Sequence, residues 1–388
     1  MEQGECPAGI FCDLSGAFDC VNLDLLLAKM ETCGIRGPAL LWLQGFLRSR
    51  RQFVSIPHKD RTQGQKSYTS ATLTMDTGVP QGSVLGPVLF ICYINDICQS
   101  VDPDWTASLF ADDASFIVPD TNNDNLESKC NSGLSSLLTW FSYNSLYFNN
   151  TKTTYIRFHT PQNNQNLDLD IKIENENITR TTCTKFLGLT LDTNLNWREH
   201  CNLLCAKLSQ LCFMIRNLKR VLPPQELIWV YNAHVGSRLH YATCFWGASS
   251  AAQSVFVTQK RILRCMLGIS QTTSCRSRFK TMGILTVTGI LIYELAKFIY
   301  LNLSTYTKNS DIHHHLTRGR DSLRQPSARL NLAKYTSESL GIRVYNSLPA
   351  FLRECGSINN FKKQLKVFLV DHEFYSLDEY FSHATIAS

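Results

Sequence analysis

Phe11-Cys12-Asp13-Leu14-Ser15-Gly16-Ala17-Phe18-Asp19 is the stretch of sequence that decides the fold, and two later blocks complete it. The later blocks are Gly78-Val79-Pro80-Gln81-Gly82-Ser83 and Phe110-Ala111-Asp112-Asp113. An apolar run over residues 8–14 predicts a short buried strand that ends at Asp13. Apolar runs over residues 106–110 and 114–118 predict two more strands with the Asp-Asp pair in the turn between them. The sequence therefore predicts a sheet that carries carboxylates at the ends of its strands.

The Asp112-Asp113 pair is the first candidate site. Side chains of successive strand residues point to opposite faces, so neighbouring aspartates converge only in a turn. Two converging carboxylates repel one another and need cations, and hard oxygen ligands favour Mg²⁺ or Mn²⁺. The alternative is structural, because Asp is a common turn residue.

Asp13 strengthens the metal-binding interpretation of that pair. An unpaired carboxylate at the end of a buried strand would cost about 3 kcal/mol or more. Packed beside the Asp-Asp turn, Asp13 would complete a set of three carboxylates for two metal ions, an arrangement suited to phosphoryl transfer. The alternative for Asp13 is a helix cap ahead of Ser15.

The loop at residues 78–83 and the lysine at position 152 suggest contacts to a nucleotide. Pro80 fixes the backbone, Gly82 lets another chain approach closely, and Gln81 offers both a donor and an acceptor to a base pair or a sugar. The alternative is a turn followed by a helix that Ser83 caps. Lys152 precedes a predicted strand at residues 153–158 and would neutralise or protonate departing pyrophosphate, or it is an exposed turn lysine.

Charge is unevenly distributed along the chain. The net charge is +6 over 388 residues, whereas residues 201–300 alone hold twelve Lys and Arg against two Asp and Glu. An acidic front half followed by a basic block suits metal chemistry beside a polyanion track. A solvated basic face remains the alternative.

Cysteine use and targeting signals point to the inside of the cell. The fifteen cysteines are scattered through apolar runs, which predicts free thiols and no disulfide-linked partner. The acidic start of the chain does not resemble a signal peptide, and the longest apolar run, residues 84–94, is too short to span a bilayer. We therefore expect an intracellular protein without a membrane partner. The tract His313-His314-His315 favours a polar loop over a weak metal site.

Periodicity along the chain predicts an α+β protein. Helical spacing is found at residues 23–33, 38–47, 83–94 and 126–144, and almost continuously from 197 to 303. Strand patterns are found at residues 51–57 and 68–76, which we expect to form a hairpin. A further strand-rich stretch covers residues 167–191. A polar break at 304–325 precedes a tail that is helical around 361–368. We expect domains at residues 1–192, 193–303 and 304–388.

The three blocks, with the residues that follow them, resemble the reverse transcriptases of non-LTR retrotransposons, the LINE-type elements, most nearly the jockey-like group. Residues 11–22 are similar to the first palm motif of that family, residues 78–87 with Tyr93-Ile94-Asn95-Asp96-Ile97 to the second, and residues 110–113 to the third. Trp140, Asn144, Asn149 and Lys152 match the fourth motif, and Phe186-Leu187-Gly188 the fifth. The resemblance extends from residue 8 to about residue 300.

The resemblance implies a fold and an activity. The fold would be a palm, an antiparallel sheet backed by helices, followed by a mostly helical thumb, with the fingers largely absent because the chain is truncated ahead of the first motif. The activity would be RNA-directed DNA polymerisation, the transfer of a nucleotide from a dNTP to a primer 3′-hydroxyl, on an RNA template with a DNA primer, in cytoplasm and nucleus. The alternative is a catalytically dead palm–thumb remnant that at most binds nucleic acid.

The resemblance also implies roles for single residues. Two Mg²⁺ ions, or Mn²⁺, would bind to Asp13, Asp112 and Asp113, with Lys152 as the fourth catalytic residue. Phe18 would exclude a 2′-hydroxyl as a sugar gate, although a buried Phe is more often a core residue. Gln81 and Gly82 would line the nucleotide pocket, and the primer grip would consist of Phe186, Leu187 and Gly188.

Overall fold

The computed structural model describes residues 1, 4–60, 64–163, 168–174, 176–311, 320 and 322–387. The chain forms two compact units, one that ends at Leu187 and one that begins at Gly188. We call them the N-terminal and the C-terminal unit. The predicted tract at residues 313–315 lies outside the described residues.

A five-stranded sheet is the centre of the N-terminal unit, in the order β11-β8-β1-β7-β6. Its neighbours pair antiparallel, except that the edge strand β11 runs parallel to β8. The sheet is thus mixed at one edge, where the sequence predicts antiparallel strands throughout. The strands of the sheet are β1 (Ala8–Cys12), β6 (Thr106–Phe110), β7 (Asp113–Val118), β8 (Thr154–Arg157) and β11 (Thr179–Arg180).

Helices pack around this sheet and bury its apolar side chains. They are α1 (Leu23–Thr32), α2 (Pro38–Leu47), α3 (Gly86–Ile94) and α4 (Asn123–Tyr143). The core they share is apolar and centres on the fully buried side chains of Ile10, Phe90 and Phe116. The predicted α+β class is confirmed.

The remaining strands of this unit belong to small two-stranded sheets. They are β2 (Arg50–Gln52), β3 (Ser55–Asp60), β4 (Gly64–Thr69), β5 (Leu73–Met75), β9 (Lys172–Ile173), β10 (Glu176–Asn177) and β12 (Cys183–Phe186). Strand β2 pairs with β5, and β3 pairs with β4, so the chain runs out along β2 and β3 and returns along β4 and β5. This confirms the predicted hairpin, which consists of two successive strand pairs.

Lys29 ties three helices of the N-terminal unit together. Its ammonium donates to the Tyr93 carbonyl at 2.7 Å, to Asp96 Oδ1 at 2.8 Å and to Asn144 Oδ1 at 2.6 Å. It also lies 4.7 Å from the Tyr93 ring centre and 4.8 Å from that of Trp140. A lysine this well hydrogen-bonded can stay charged while it is largely buried. We call this group the Lys29 network.

Helix α3 differs from the sequence prediction in its start and in its burial. It begins at Gly86, and Ser83 caps it from three residues ahead, because the Ser83 hydroxyl accepts from the Gly86 N–H at 2.9 Å. The run of apolar residues predicts a mostly buried helix. In the structure Val88 and Ile91 are exposed, since the helix packs only one of its faces on the core, and Val84 is exposed in the turn ahead of the helix.

The C-terminal unit is helical after one strand, β13 (Leu189–Asp192). Its first helices are α5 (Arg198–Leu218), α6 (Pro224–Tyr231), α7 (Ser237–His240), α8 (Thr243–Trp246), α9 (Ala252–Leu267), α10 (Arg278–Met282) and α11 (Val287–Leu301). They are followed by α12 (Asn331–Lys334), α13 (Ser337–Asn346), α14 (Ala350–Arg353), α15 (Ile358–His372) and α16 (Leu377–Ala387). The helix predicted around residues 361–368 is confirmed as α15.

The segment after α15 is built into the core that α5, α9 and α11 share. The buried Glu373 carboxylate accepts from the backbone N–H groups of Ser277 and Lys280, both at 2.5 Å, and so caps the start of α10. The Thr286 hydroxyl donates to the Phe374 carbonyl at 2.6 Å. Residues 193–303 and 304–388 therefore contribute to one hydrophobic core, and the domain limits expected within this unit stay a prediction.

The fifteen cysteines all lie within the described ranges and form no disulfide there, and several of them, such as Cys201 and Cys212 on α5, pack in the core. Across the ranges given above, no helix combines the length and the apolar character that crossing a bilayer requires.

Candidate active site

The strand register brings the predicted carboxylates together. Strand β1 pairs antiparallel with β7, with Cys12 opposite Ala114, so the next residues outward, Asp13 and Asp113, face one another across the two strand ends. Strands β6 and β7 are joined by a tight turn in which Phe110 pairs with Asp113 and Ala111 has a φ of 52°. Such left-handed turns match the twist of a hairpin. The turn holds Asp112 beside Asp113.

The carboxylates interact electrostatically. The pKa of Asp113 is raised, chiefly because the carboxyl is partly desolvated and also because the negative charges of Asp112 and Asp13 lie nearby. Like charges that are held together disfavour ionisation, and a cation relieves the repulsion. The arrangement is therefore suited to attract positive charge.

Lys152 supplies one such charge. Its ammonium lies 3.3 Å from Asp13 Oδ2, and both side chains are accessible to solvent. The loop that carries Lys152 is tied to the end of β1, because the Asn149 N–H donates to the Asp13 carbonyl at 2.8 Å. Asp13 does not cap a helix, since the next helix, α1, begins at Leu23 and is capped by Asn22. The structure thus joins Asp13 and Lys152 in one ion pair.

A cavity of about 390 Å³ lies at the ends of the strands that carry Asp13 and Asp113. Asp13, Asp113 and Lys152 line it from β1, β7 and the loop before β8, and Phe186 lines it from β12. Other residues that line the cavity are not predicted from the sequence as site residues, among them Thr181, Cys183, Thr184 and Lys185. Only their position directly ahead of the predicted primer grip could have indicated them.

The Gly-Val-Pro-Gln-Gly loop packs against the turn that follows Asp13. Gly78 has a φ of 77°, and a Cβ there would lie 2.8 Å from the Asp19 carbonyl, so only glycine fits. The Val79 N–H donates to the Phe18 carbonyl at 2.8 Å, and Gln81 Nε2 donates to Asp19 Oδ1 at 3.3 Å. A Cβ on Gly82 would meet no atom within 4 Å, which leaves the loop open on that side.

Phe18 stacks on Phe90 with ring centres 4.5 Å apart and remains half-buried. Phe18, Gln81 and Gly82 form a second group that does not line the cavity of the carboxylates. The sequence analysis missed Arg50, which holds this loop. Its guanidinium donates to the Thr77 carbonyl at 3.1 Å and to the Gly78 carbonyl at 2.5 Å.

The predicted primer grip lies where the N-terminal unit ends. The Phe186 ring lies 5.7 Å from that of Phe11 on β1. Leu187 and Gly188 follow with φ values of 46° and 78°, a pair of left-handed residues that reverses the chain. Phe186 alone of the three lines the cavity of the carboxylates.

The donor set of this site fits a hard divalent cation in its chemistry, because it consists of carboxylates that repel one another. Among the residues that the structure describes, no three His, Cys, Asp or Glu side chains converge closely enough to hold a metal ion by themselves.

Comparison with known proteins indicates the family to which the first half of the chain is similar. The family described as reverse transcriptase (RNA-dependent DNA polymerase) matches residues 1–191. A probable RNA-directed DNA polymerase from transposon BS of Drosophila melanogaster is 25% identical over 327 residues, which are 81% of this chain and 33% of that protein. The RNA-directed DNA polymerase from the Drosophila melanogaster mobile element jockey is 27% identical over 207 residues, 52% of this chain and 21% of that protein.

A search of solved structures matched telomerase from Candida albicans in complex with a TWJ fragment of telomeric RNA. It is 12% identical, with a TM-score of 0.34 over 98% of this chain and 50% of that one. The chain spans a third or less of the length of the two Drosophila relatives. Residues 1–191 therefore belong to the reverse transcriptase family, of the type that non-LTR retrotransposons carry.

Proposed function

We propose that the chain is an RNA-directed DNA polymerase that transfers nucleotides from dNTPs to the 3′-hydroxyl of a DNA primer on an RNA template. The observation that carries the proposal is the register of β1 and β7. It sets Asp13 opposite Asp113, and these two residues line one cavity with Lys152. Asp112 adjoins Asp113 in the turn but does not line that cavity. The proposal places this reaction inside the cell, in cytoplasm and nucleus, where nucleic acids and dNTPs are found.

We infer that Asp13, Asp112 and Asp113 hold two Mg²⁺ ions, with Mn²⁺ as a substitute. Bound ions of this kind lower the pKa of a primer hydroxyl and stabilise negative charge on the transferred phosphate. The pKa of Asp113 is raised chiefly by desolvation and further by the negative charges of Asp112 and Asp13, and a bound cation would offset the repulsion from those two charges.

Lys152 is proposed to neutralise the leaving pyrophosphate. Its ion pair with Asp13 is solvent-accessible, and exposed pairs contribute little to stability, so the ammonium can leave Asp13 at low cost. The 66% exposed side chain has the reach and freedom for such a movement. Lys152 therefore offers a mobile proton donor at the edge of the site.

Phe18, Gln81 and Gly82 are proposed to hold the incoming nucleotide. The Phe18 ring is fixed by its stack on Phe90, which would make it a rigid stop for a 2′-hydroxyl. The Gln81 amide is held by Asp19, and Gly82 leaves open space beside it. Phe186, Leu187 and Gly188 are proposed to support the primer end.

A second candidate function is nucleic-acid binding without catalysis. The observation that favours it is the basic excess of residues 201–300, which hold twelve Lys and Arg against two Asp and Glu and would attract a polyanion whether or not the carboxylates act.

Primer extension separates the two functions. The purified chain should extend a labelled DNA primer on an RNA template in the presence of Mg²⁺ and dNTPs. Asp112→Ala should lower the rate about a thousandfold, because metal ligation contributes about 4 kcal/mol to stabilising the transition state. Asp104→Asn, an exposed acidic residue of the same unit, is the matched control and should extend normally. Binding of the template-primer without extension would instead establish the second function.

A further inference from the structure

Two cysteine thiols meet inside the C-terminal unit, where helices α5 and α9 pack against each other. Cys212 lies on α5 and is buried, whereas Cys265 lies on α9 and is half-buried. The Cys265 thiol donates to the Cys212 carbonyl, with the sulfur 3.8 Å from the oxygen. The two residues are 53 positions apart in the sequence, so the fold brings them together. We call them the Cys212–Cys265 pair.

The surroundings of the pair govern how easily its buried thiol loses a proton. The pKa of Cys212 is raised chiefly by burial, and further by the charge of a Cys265 thiolate and by the hydrogen bond between the two thiols. The positive charges of Arg216 and Arg261, both exposed, act in the opposite direction. Once Cys265 is oxidised, it no longer carries a thiolate charge, and its repulsion of a Cys212 thiolate ends. Cys212 then ionises more easily than in the reduced pair.

We propose that the Cys212–Cys265 pair is a site of reversible oxidation, at which a peroxide converts the two thiols into a disulfide between α5 and α9. A disulfide forms without backbone movement only where the two cysteines already lie close, as they do here. Disulfides of proteins in reducing compartments are usually transient and sense oxidants. Such sensors place a partly accessible thiol beside a second thiol that resolves it. The proposal does not depend on the proposed polymerase activity.

The oxidation takes two steps. The Cys265 thiolate attacks one oxygen of the peroxide, so that an S–O bond forms, the O–O bond breaks, and the leaving hydroxide takes up the proton that the thiol has lost. The sulfur is oxidised and the peroxide is reduced. The Cys212 thiolate then attacks the sulfenic acid sulfur, the S–S bond forms, and the S–O bond breaks. The released hydroxide takes up the proton of Cys212, so one hydrogen peroxide and two thiols give one disulfide and two water molecules.

The test is a map of the oxidised peptides of the full chain. The reduced protein is treated with a slight excess of hydrogen peroxide in native buffer, its remaining thiols are alkylated, and it is digested with trypsin without reduction. Trypsin leaves Cys212 in the peptide of residues 208–216 and Cys265 in that of residues 265–276. We expect mass spectrometry to find these two peptides linked, and to find them separate after treatment with dithiothreitol.

Oxidation in urea is the reference for chance pairing. There the share of Cys212 that is linked to Cys265 should fall about tenfold, because the other thirteen cysteines compete as partners. An equal share in native buffer and in urea would overturn the proposal, since the native packing would then not select the pair. So would a native map in which the exposed Cys98 is oxidised and the linked peptides are absent.

Cys275→Ser is the matched control, because Cys275 lies in the same tryptic peptide as Cys265. The link should persist in this variant and in Cys205→Ser, which removes another thiol of α5. Cys212→Ser and Cys265→Ser should each abolish it. Loss of the link in a folded Cys275→Ser variant would overturn the assignment to Cys265. The map of the unsubstituted chain decides even where a variant fails to fold, because fragmentation of the linked peptides identifies the two cysteines.

Discussion

Replacing Lys29 by methionine should destabilise the N-terminal unit by about 3 kcal/mol. The methionine keeps the apolar stem of the lysine but not its charge or donors. It leaves two buried acceptors, the Tyr93 carbonyl and Asn144 Oδ1, without the ammonium that now lies 2.7 and 2.6 Å away. Each buried acceptor that loses its partner costs about 1–3 kcal/mol, and the lost cation–π contacts add about 0.5–1 kcal/mol.

Asp96→Asn is the matched comparison. It removes the charge on the third partner of the ammonium, at 2.8 Å, but Asp96 is 42% exposed, so water replaces much of the interaction. We expect a loss below about 1 kcal/mol.

Hydrogen exchange followed by mass spectrometry is the suitable assay, because it reports each unit of the chain separately. Amides of α1, α3 and α4 should exchange about 150-fold faster in Lys29→Met, the factor that corresponds to 3 kcal/mol. Amides of α9 and α11 in the other unit serve as the internal reference. Equal effects of Lys29→Met and Asp96→Asn would refute the reasoning, because the network would then act only through its exposed ion pair.

Two further predictions concern charge and packing. Asp113→Asn should raise the melting temperature at pH 7, since it removes a carboxylate whose pKa is raised by desolvation and by its charged neighbours. The gain should vanish below about pH 3.8, where the wild-type carboxyl is neutral in both the folded and the unfolded chain. A gain in melting temperature that persists at pH 3 would contradict this origin. Gly133→Ala on α4 should destabilise by about 1–3 kcal/mol in urea unfolding, because the new methyl would lie 2.2 Å from the Trp105 ring. Gly45→Ala on α2, where a Cβ meets nothing within 4 Å, should instead stabilise by up to about 1 kcal/mol; the same sign for both would disprove the steric explanation.

Much of the site follows from local patterns. The apolar runs around Asp13 and around Asp112-Asp113 predict the strands, and the structure confirms the strands at β1, β6 and β7. Periodicity cannot give strand order, so the register that sets Asp13 opposite Asp113 comes only from the structure. The roles of these residues stay predictions.

Other features depend on contacts that are distant in sequence. The Lys29 network joins Lys29 to partners that lie 67 and 115 positions further along the chain. Nothing around Lys29 in the sequence indicates a buried cation. The apolar run at residues 84–94 predicts a buried helix, but packing on one side leaves Val88 and Ile91 exposed. The cap of α10 by Glu373 is equally non-local.

That cap affects the order of events during synthesis of the chain. Helix α10 is translated more than ninety residues before Glu373, so its first turn lacks this partner until Glu373 has left the ribosome. At about 5–20 residues per second, the N-terminal unit has roughly 10–40 s to fold while the second half of the chain is still being made. The helices of the C-terminal unit wait through the same interval with an unfinished core. Chaperones that bind nascent chains would therefore be needed mainly by the second unit.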